Sequence, residues 1–198
     1  STGIYILDLT SPDGCDVTYS YTVGSSSVSL TETHSDVTCA GLSDGSIDIS
    51  PIGGGGNYTY AWIDSSSGFT YNTQDLNNIG SGNYWCTVTD LNNCSALPIQ
   101  IIINEPPPIN VNPSFKDITC GGYNDGEIVL NATGGSQPLL INWMGPNGFS
   151  ANSDSISSLQ SGTYNAVITD SNNCMLSPLS FIVSEPLPIS VAYQPSDI

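Results

Sequence analysis

The sequence is poor in positive charge and in the side chains that most active sites use. It contains one basic residue, Lys116, and one histidine, His34, against 18 acidic residues, which gives a formal net charge of -17. Nucleic acids and anionic membrane surfaces are bound through basic patches, so we expect neither as a partner. A single histidine with no repeated counterpart also argues against a catalytic triad, and we predict that the chain is not an enzyme.

Long apolar runs and helical periodicity are absent as well. No stretch reaches the 18 apolar residues that a membrane-spanning helix needs, so we expect no membrane insertion by this segment. Short segments of alternating apolar and polar residues are separated by clusters of glycine and asparagine, as in Gly53–Gly56 and Asn92-Asn93. This pattern is typical of all-β proteins and predicts β-sandwiches.

One set of motifs occurs twice in the same order. Asp36-Val37-Thr38-Cys39 returns as Asp117-Ile118-Thr119-Cys120, an offset of 81 residues. Further matching positions are Trp62 and Trp143, Tyr84 and Tyr164, Cys94 and Cys174, and Glu105-Pro106 and Glu185-Pro186. A long fixed period indicates tandem modules, here of about 80 residues each. We predict closing strands of a truncated preceding repeat at 1–24, sandwich repeats at 25–107 and 108–187, and the first strand of a truncated following repeat at 188–198.

The strand pattern also predicts a core. In the segment 84–89 the first, third and fifth residues, Tyr84, Cys86 and Val88, are apolar, and their matches in 164–168 and 5–9 are apolar or small. Residues two apart share one face of a strand, so this face is expected to point into the module. We predict core positions at Trp62, Trp143, Tyr84 and Tyr164, and a buried, unreactive thiol at Cys86.

The remaining cysteines are locked to the repeat, and two pairings fit its phase. Within a copy, Cys39 pairs with Cys94 and Cys120 with Cys174; across copies, Cys15 pairs with Cys39 and Cys94 with Cys120. We favour the first pairing, because each module is then stapled on its own. A bond that closes about 55 residues contributes roughly 4 kcal/mol in the chain-entropy model. Disulfides also predict an extracellular, oxidising environment.

Metal and ligand sites are weaker hypotheses. Isolated cysteines without paired histidines do not fit a zinc site. The repeated aspartates Asp44, Asp125, Asp90 and Asp170 could supply oxygens to calcium, although Asp and Asn also shape turns without any ion. We therefore predict no cofactor and keep calcium as the open alternative.

The ordered motifs resemble the SprB-type repeat. The resemblance runs from Asp36 to Pro106 and again from Asp117 to Pro186; the second copy departs from it at Leu139-Leu140-Ile141, where a Tyr-x-Tyr pattern is lost. The resemblance implies immunoglobulin-like or PKD-like sandwiches in tandem. It also implies a very large adhesin on the surface of gliding bacteria, exported by the type IX secretion route.

On this basis the chain is expected to be a structural segment of a cell-surface adhesin filament used for attachment during gliding. Its expected partners are neighbouring repeats of the same long chain and a surface polysaccharide or an abiotic substratum. One alternative is an array of carbohydrate-binding modules, for which Trp85 and Tyr71 are the candidate glycan contacts. The other alternative is the stalk of a secreted enzyme.

Overall fold

The computed structural model describes residues 3–23 and 27–190. These residues form β-strands and one short 3-10 turn, Pro146–Gly148, and contain no α-helix. They are divided between two compact units. Unit 1 comprises Ser1–Val37 and Ser43–Asn104, and unit 2 comprises Thr38–Leu42 and Glu105–Ile198. The boundary predicted after residue 24 and most of the strand predicted at 188–198 lie outside the described residues, and the boundaries after 107 and 187 stay predictions.

A two-stranded hairpin opens the described chain. Its strands are β1 (Gly3–Thr10) and β2 (Asp16–Val23), which pair antiparallel. Strand β1 matches the repeated core strand, but Tyr5, Leu7 and Leu9 are 49%, 57% and 51% exposed. The prediction that this face points into a core is wrong here, because within the described part of the chain the hairpin forms a sheet of only two strands.

The rest of unit 1 is a sandwich of two antiparallel sheets. Its strands in chain order are β3 (Val28–Ser35), β4 (Gly45–Gly53), β5 (Thr59–Asp64), β6 (Thr70–Tyr71), β7 (Leu76–Ile79), β8 (Gly82–Thr89) and β9 (Ile99–Ile103). The sheet orders are β3-β4-β7 and β6-β5-β8-β9. Alternate residues of β4 and β8 point inward, so Ile47 and Ile49 enter one buried cluster with Tyr84 and Val88. Apolar side chains from both sheets thus form a single core.

Unit 2 has the same architecture. Its strands are β10 (Asn110–Lys116), β11 (Gly126–Thr133), β12 (Leu140–Met144), β13 (Ser150–Ala151), β14 (Ser155–Leu159), β15 (Gly162–Thr169) and β16 (Leu179–Val183). The sheet orders β10-β11-β14 and β13-β12-β15-β16 repeat those of unit 1. Pro113 lies in β10, at the edge of its sheet. An edge strand tolerates proline, because its outer side has no neighbouring strand to which an N–H would donate. The prediction of an all-β fold made of sandwich modules is confirmed.

Among the described residues, none of the secondary structure is a helix with the length and apolar character needed to cross a bilayer.

Candidate functional site: the cysteine turn and the aspartate loop

A buried aspartate organises the loop that carries Cys174. Asp170 is 5% exposed. Its Oδ1 accepts hydrogen bonds from the backbone N–H groups of Asn172 and Cys174, both at 2.9 Å, and its Oδ2 accepts one from Ser136 at 2.9 Å. The bonds from Ser136, and then from Cys174 and Asn172, lower the pKa of Asp170 against the effect of its burial. Aspartate suits this position because its one carboxylate accepts hydrogen bonds from three backbone amides of a tight turn.

Unit 1 contains the same loop around Cys94. Asp90 accepts hydrogen bonds from Gly55 N at 2.6 Å, Cys94 N at 2.8 Å and Asn92 N at 2.9 Å, and these bonds lower its pKa. The residue before the cysteine is Asn93, with φ of 60°, and asparagine is one of the few non-glycine residues that adopt this left-handed region readily. We call these two loops, Asp90–Cys94 and Asp170–Cys174, the aspartate loops.

A second element, the cysteine turn, carries the other repeated cysteine. The first cysteine turn is Thr38–Leu42, in which Leu42 N donates to Cys39 O at 3.1 Å. Gly41 has φ of 76°, and its N–H donates to Glu105 Oε2 at 2.6 Å. A glycine is required there because a side chain at positive φ would strain the turn. The repeated Glu-Pro motif therefore does more than end a sheet, because the carboxylate of Glu105 accepts a hydrogen bond that fixes this turn.

The second cysteine turn, Thr119–Tyr123, has the same geometry. Tyr123 N donates to Cys120 O at 3.1 Å. Gly122 has φ of 82°, and its N–H donates to a carboxylate oxygen of Glu185. The role of Glu105 and Glu185 was not predicted from the sequence. The signal that could have found it is that a Glu-Pro motif follows the glycine of each turn at nearly the same separation, 64 residues in the first copy and 63 in the second.

The structure joins one cysteine turn to one aspartate loop. Cys39 and Cys174, both in unit 2, form a disulfide with an S–S distance of 2.00 Å and a sequence separation of 135 residues. Beside it, Asn172 Nδ2 donates to Thr38 O at 2.9 Å. The turn and the loop are therefore joined by a hydrogen bond as well as by the sulfurs.

This pairing differs from both pairings considered for the sequence. Neither Cys39–Cys94 nor Cys120–Cys174 is formed, and Cys15, Cys94 and Cys120 are free thiols. The physical reason lies in the path of the chain. Thr38–Leu42 follows a strand of unit 1 but belongs to unit 2, so Cys39 meets the aspartate loop of that unit.

Three of the four candidate calcium ligands, Asp90, Asp125 and Asp170, accept hydrogen bonds from loops of the protein. Asp125 accepts hydrogen bonds from Thr119 Oγ1 at 2.7 Å and Thr119 N at 3.0 Å, and lies 3.3 Å from Lys116 Nζ. The two bonds from Thr119, with a smaller effect of Lys116, lower its pKa to about 2. Among residues 3–23 and 27–190, no three His, Cys, Asp or Glu side chains come together as metal ligands.

The two candidate glycan contacts do not form one platform. Trp85 is 38% exposed and pairs with Ile63 on the outer face of its sheet. Tyr71 pairs with the buried Trp62 and packs against the core. Directly opposed residues of antiparallel strands share a face, so Trp85 and Tyr71 lie on opposite faces of the same sheet.

The four aromatic core residues each make one hydrogen bond from the ring's polar atom. Trp62 and Trp143 are 2% and 1% exposed, and their Nε1 atoms donate to backbone oxygens at 2.9 Å. The hydroxyls of Tyr84 and Tyr164 donate to Gly80 O and Gln160 O, and burial raises the pKa of Tyr84 to about 12. These bonds satisfy the polar atoms that large aromatic rings carry into a core.

The fifth residue predicted to point into a core is Cys86, which carries a thiol. Cys86 is fully buried, and burial raises its pKa to about 11. A thiol with this pKa holds almost no thiolate at neutral pH, and thiolate is the reactive form.

Comparison with known proteins bears directly on these repeated elements. A family model described as the SprB repeat matches residues 31–67 and 112–148. The chain therefore resembles the SprB repeat at two places. Each match contains a complete cysteine turn, and the matched stretches begin at equivalent positions of the two units. No curated protein matches the chain.

Solved structures give a more distant likeness. A structure determined to explain Dscam isoform specificity shares 12% identity with a TM-score of 0.34, and covers 88% of this chain and 52% of its own. The four N-terminal Ig domains of Dscam1 isoform 6.44 give 14% identity and a TM-score of 0.35, with the same coverage. An amphioxus IgVJ-C2 molecule gives 13% identity and a TM-score of 0.34, covering 80% of this chain and 97% of its own. The chain spans about half the length of the two Dscam chains.

Proposed function

We propose that this chain is a structural repeat segment of a long bacterial cell-surface adhesin filament that attaches cells to surfaces during gliding. The observation that carries the proposal is the pair of SprB repeats at 31–67 and 112–148. Each matched stretch contributes strands of a sandwich core and a cysteine turn, which are parts of a scaffold. The proposed role is therefore mechanical and not enzymatic.

The chemistry of the chain supports an extracellular location. A disulfide persists in oxidising compartments and is rare where thiol reductants are abundant. A net charge of -17 keeps such modules soluble and makes them repel one another. The alternative hypothesis of glycan binding has less support. Trp85 and Tyr71 do not form one platform, and no second aromatic residue of the described sheet lies beside Trp85 on its outer face.

The surface role is tested with antibody fragments raised against this chain. We expect them to label intact cells of the source bacterium as strongly as permeabilised cells, and to reduce attachment of the cells to glass. Fragments against an unrelated surface protein serve as the control. Labelling that requires permeabilisation, or attachment that is unchanged at saturating labelling, would reject the proposal.

The mechanical role gives a second test, by pulling the chain from its two ends in a single-molecule instrument. The bond between Cys39 and Cys174 bridges 135 residues, so a force applied at the ends bypasses them while the bond is intact. Fully extended, those residues span roughly 450–490 Å. In the wild type, we expect this extra length to appear only after a reductant is added. In a chain that lacks Cys39, we expect it to appear with or without the reductant. Equal extension of the oxidised and reduced wild-type chains would contradict a length-limiting role for the disulfide.

A further inference from the structure

The disulfide uses one of the two cysteine turns and one of the two aspartate loops. Cys120 occupies in the second cysteine turn the position of Cys39, and Cys94 occupies in the first aspartate loop the position of Cys174. Both are free thiols, Cys120 exposed and Cys94 partly exposed. Each is thus the counterpart of a residue that is bonded in the same molecule.

Both free halves already have the geometry of the bonded ones. The amides of Cys94 and Cys174 donate to their aspartates at 2.8 and 2.9 Å. The carbonyl oxygens of Cys120 and Cys39 accept the turn-closing bond at the same distance, 3.1 Å. The turn and the loop therefore take these shapes whether or not the disulfide is present. The docking partner is also in place, since Asn92 occupies in the first loop the position from which Asn172 bonds Thr38 O.

We propose that Cys120 and Cys94 are cross-linking sites for further SprB repeats, each pairing by the rule that Cys39 and Cys174 follow. Under this rule, the cysteine turn of one repeat bonds to the aspartate loop of the repeat after it, 135 residues along the chain. The ligand of Cys120 is the cysteine of an aspartate loop, and the ligand of Cys94 is the cysteine of a cysteine turn. The proposal rests on the equivalence of the two repeats and is independent of the adhesive role.

The chemistry needs an oxidant, which we take to be a small-molecule disulfide such as oxidised glutathione. The Cys120 thiolate attacks one glutathione sulfur and releases one reduced glutathione. The thiolate of the partner cysteine then attacks the Cys120 sulfur of the mixed disulfide and releases the second. Two protein thiols are oxidised to one disulfide, and one oxidised glutathione is reduced to two thiols, so protons and electrons balance.

The test gives the chain a third repeat in register. A copy of residues 38–107 is appended directly after Ile198, because Asp197-Ile198 matches Asp36-Val37. The copied Cys94 then follows Cys120 at the 135-residue spacing of the observed bond. The extended chain is refolded with reduced and oxidised glutathione, its free thiols are alkylated, and its disulfides are mapped by mass spectrometry after proteolysis.

We expect two disulfides in the extended chain, Cys39–Cys174 and Cys120 to the copied Cys94, in at least nine-tenths of the monomer. A matched control moves the thiol within the same turn, by combining Cys120→Ser with Tyr123→Cys, at a residue that is 60% exposed. This control is expected to leave the copied Cys94 alkylated. The proposal would be overturned if Cys120 is found alkylated, or if it bonds to the original Cys94 and not to the copied one. Equal cross-linking of the control would also overturn it.

A second arm uses the chain as it is, at high concentration in the same redox buffer, and asks whether a second copy can supply the partner. The rule predicts that any covalent dimer joins Cys120 of one copy to an aspartate-loop cysteine of the other, and that Cys120→Ser abolishes it. Dimers made mainly of Cys120–Cys120 bonds would contradict the rule, because two cysteine turns do not complement each other. The buried Cys86 provides an internal reference and is expected to remain unbonded in both arms.

Discussion

Removal of the disulfide between Cys39 and Cys174 is expected to lower the free energy of unfolding by several kcal/mol. The variant replaces both residues with serine, so that breaking the bond adds no new free thiol to the chain. In the chain-entropy model, a bond that closes 135 residues restricts the unfolded chain by about 17 cal/mol/K. This corresponds to about 5 kcal/mol at 25 °C in the summed free energy of unfolding of the two units.

A lower value applies if unit 2 unfolds while unit 1 stays folded. Within unit 1, Val37 N donates to Asn104 O at 2.9 Å, which holds the two chain exits together. The loop that the bond then closes shrinks to about 70 residues, and the stabilisation falls to about 4.4 kcal/mol. Because the entropy depends on the logarithm of loop length, the two routes give nearly the same answer.

The measurement is equilibrium unfolding in urea, followed by tryptophan fluorescence and fitted to two transitions. Cys120→Ser is the matched control, since it changes the equivalent residue of the second cysteine turn without removing a bond. We expect the double-serine variant to lose about 4–5 kcal/mol and the control to change by less than about 0.5 kcal/mol. A loss below about 1 kcal/mol in the double variant, or an equal loss in the control, would refute the reasoning.

Three further outcomes follow from the described contacts. Trp62→Ala is expected to destabilise unit 1 by about 3–5 kcal/mol, whereas Trp85→Ala on the outer face is expected to change it by less than about 1 kcal/mol, both measured by urea unfolding. Asp170 has a lowered pKa, so its contribution to stability is present above the unfolded value of 3.8 and is lost as pH falls through the lower folded value. The difference in unfolding free energy between the wild type and Asp170→Asn, measured by urea unfolding at several pH values, should therefore narrow in acid. A difference that stays constant as pH falls would contradict this role of Asp170. Cys86 is expected to resist iodoacetamide in the native protein at pH 8 and to react once the protein unfolds, which mass spectrometry would detect. Rapid labelling of Cys86 in the native protein would contradict its burial.

The strands and their inward faces could be predicted from the sequence because they depend on local alternation. Tyr84, Cys86 and Val88 are apolar at every second position, and all three are at most 2% exposed. The same alternation in β1 gave the wrong answer for Tyr5 and Leu7. A strand pattern shows which residues share a face, but it does not show whether a second sheet covers that face.

The relation between Trp85 and Tyr71 could not be read from the sequence, because it depends on register. Tyr71 lies in β6, a strand of two residues with no alternation of its own. Its face is set by its pairing with Trp62, which is a tertiary contact. Short edge strands of this kind leave too few residues for a period to appear.

The disulfide pairing escaped prediction for a reason that applies to repeat proteins in general. A repeated sequence gives the phase of each cysteine within the period, but a partner in one copy and a partner in the next copy have the same phase. The expected separation, from Cys39 to Cys94, and the observed separation, from Cys39 to Cys174, differ by one period. Only the path of the chain distinguishes them, because Thr38–Leu42 leaves the unit that its neighbouring strands build. Any assignment of bonds in such an array by sequence must therefore test partners one period further along the chain, and the free Cys94 and Cys120 are where that test is made.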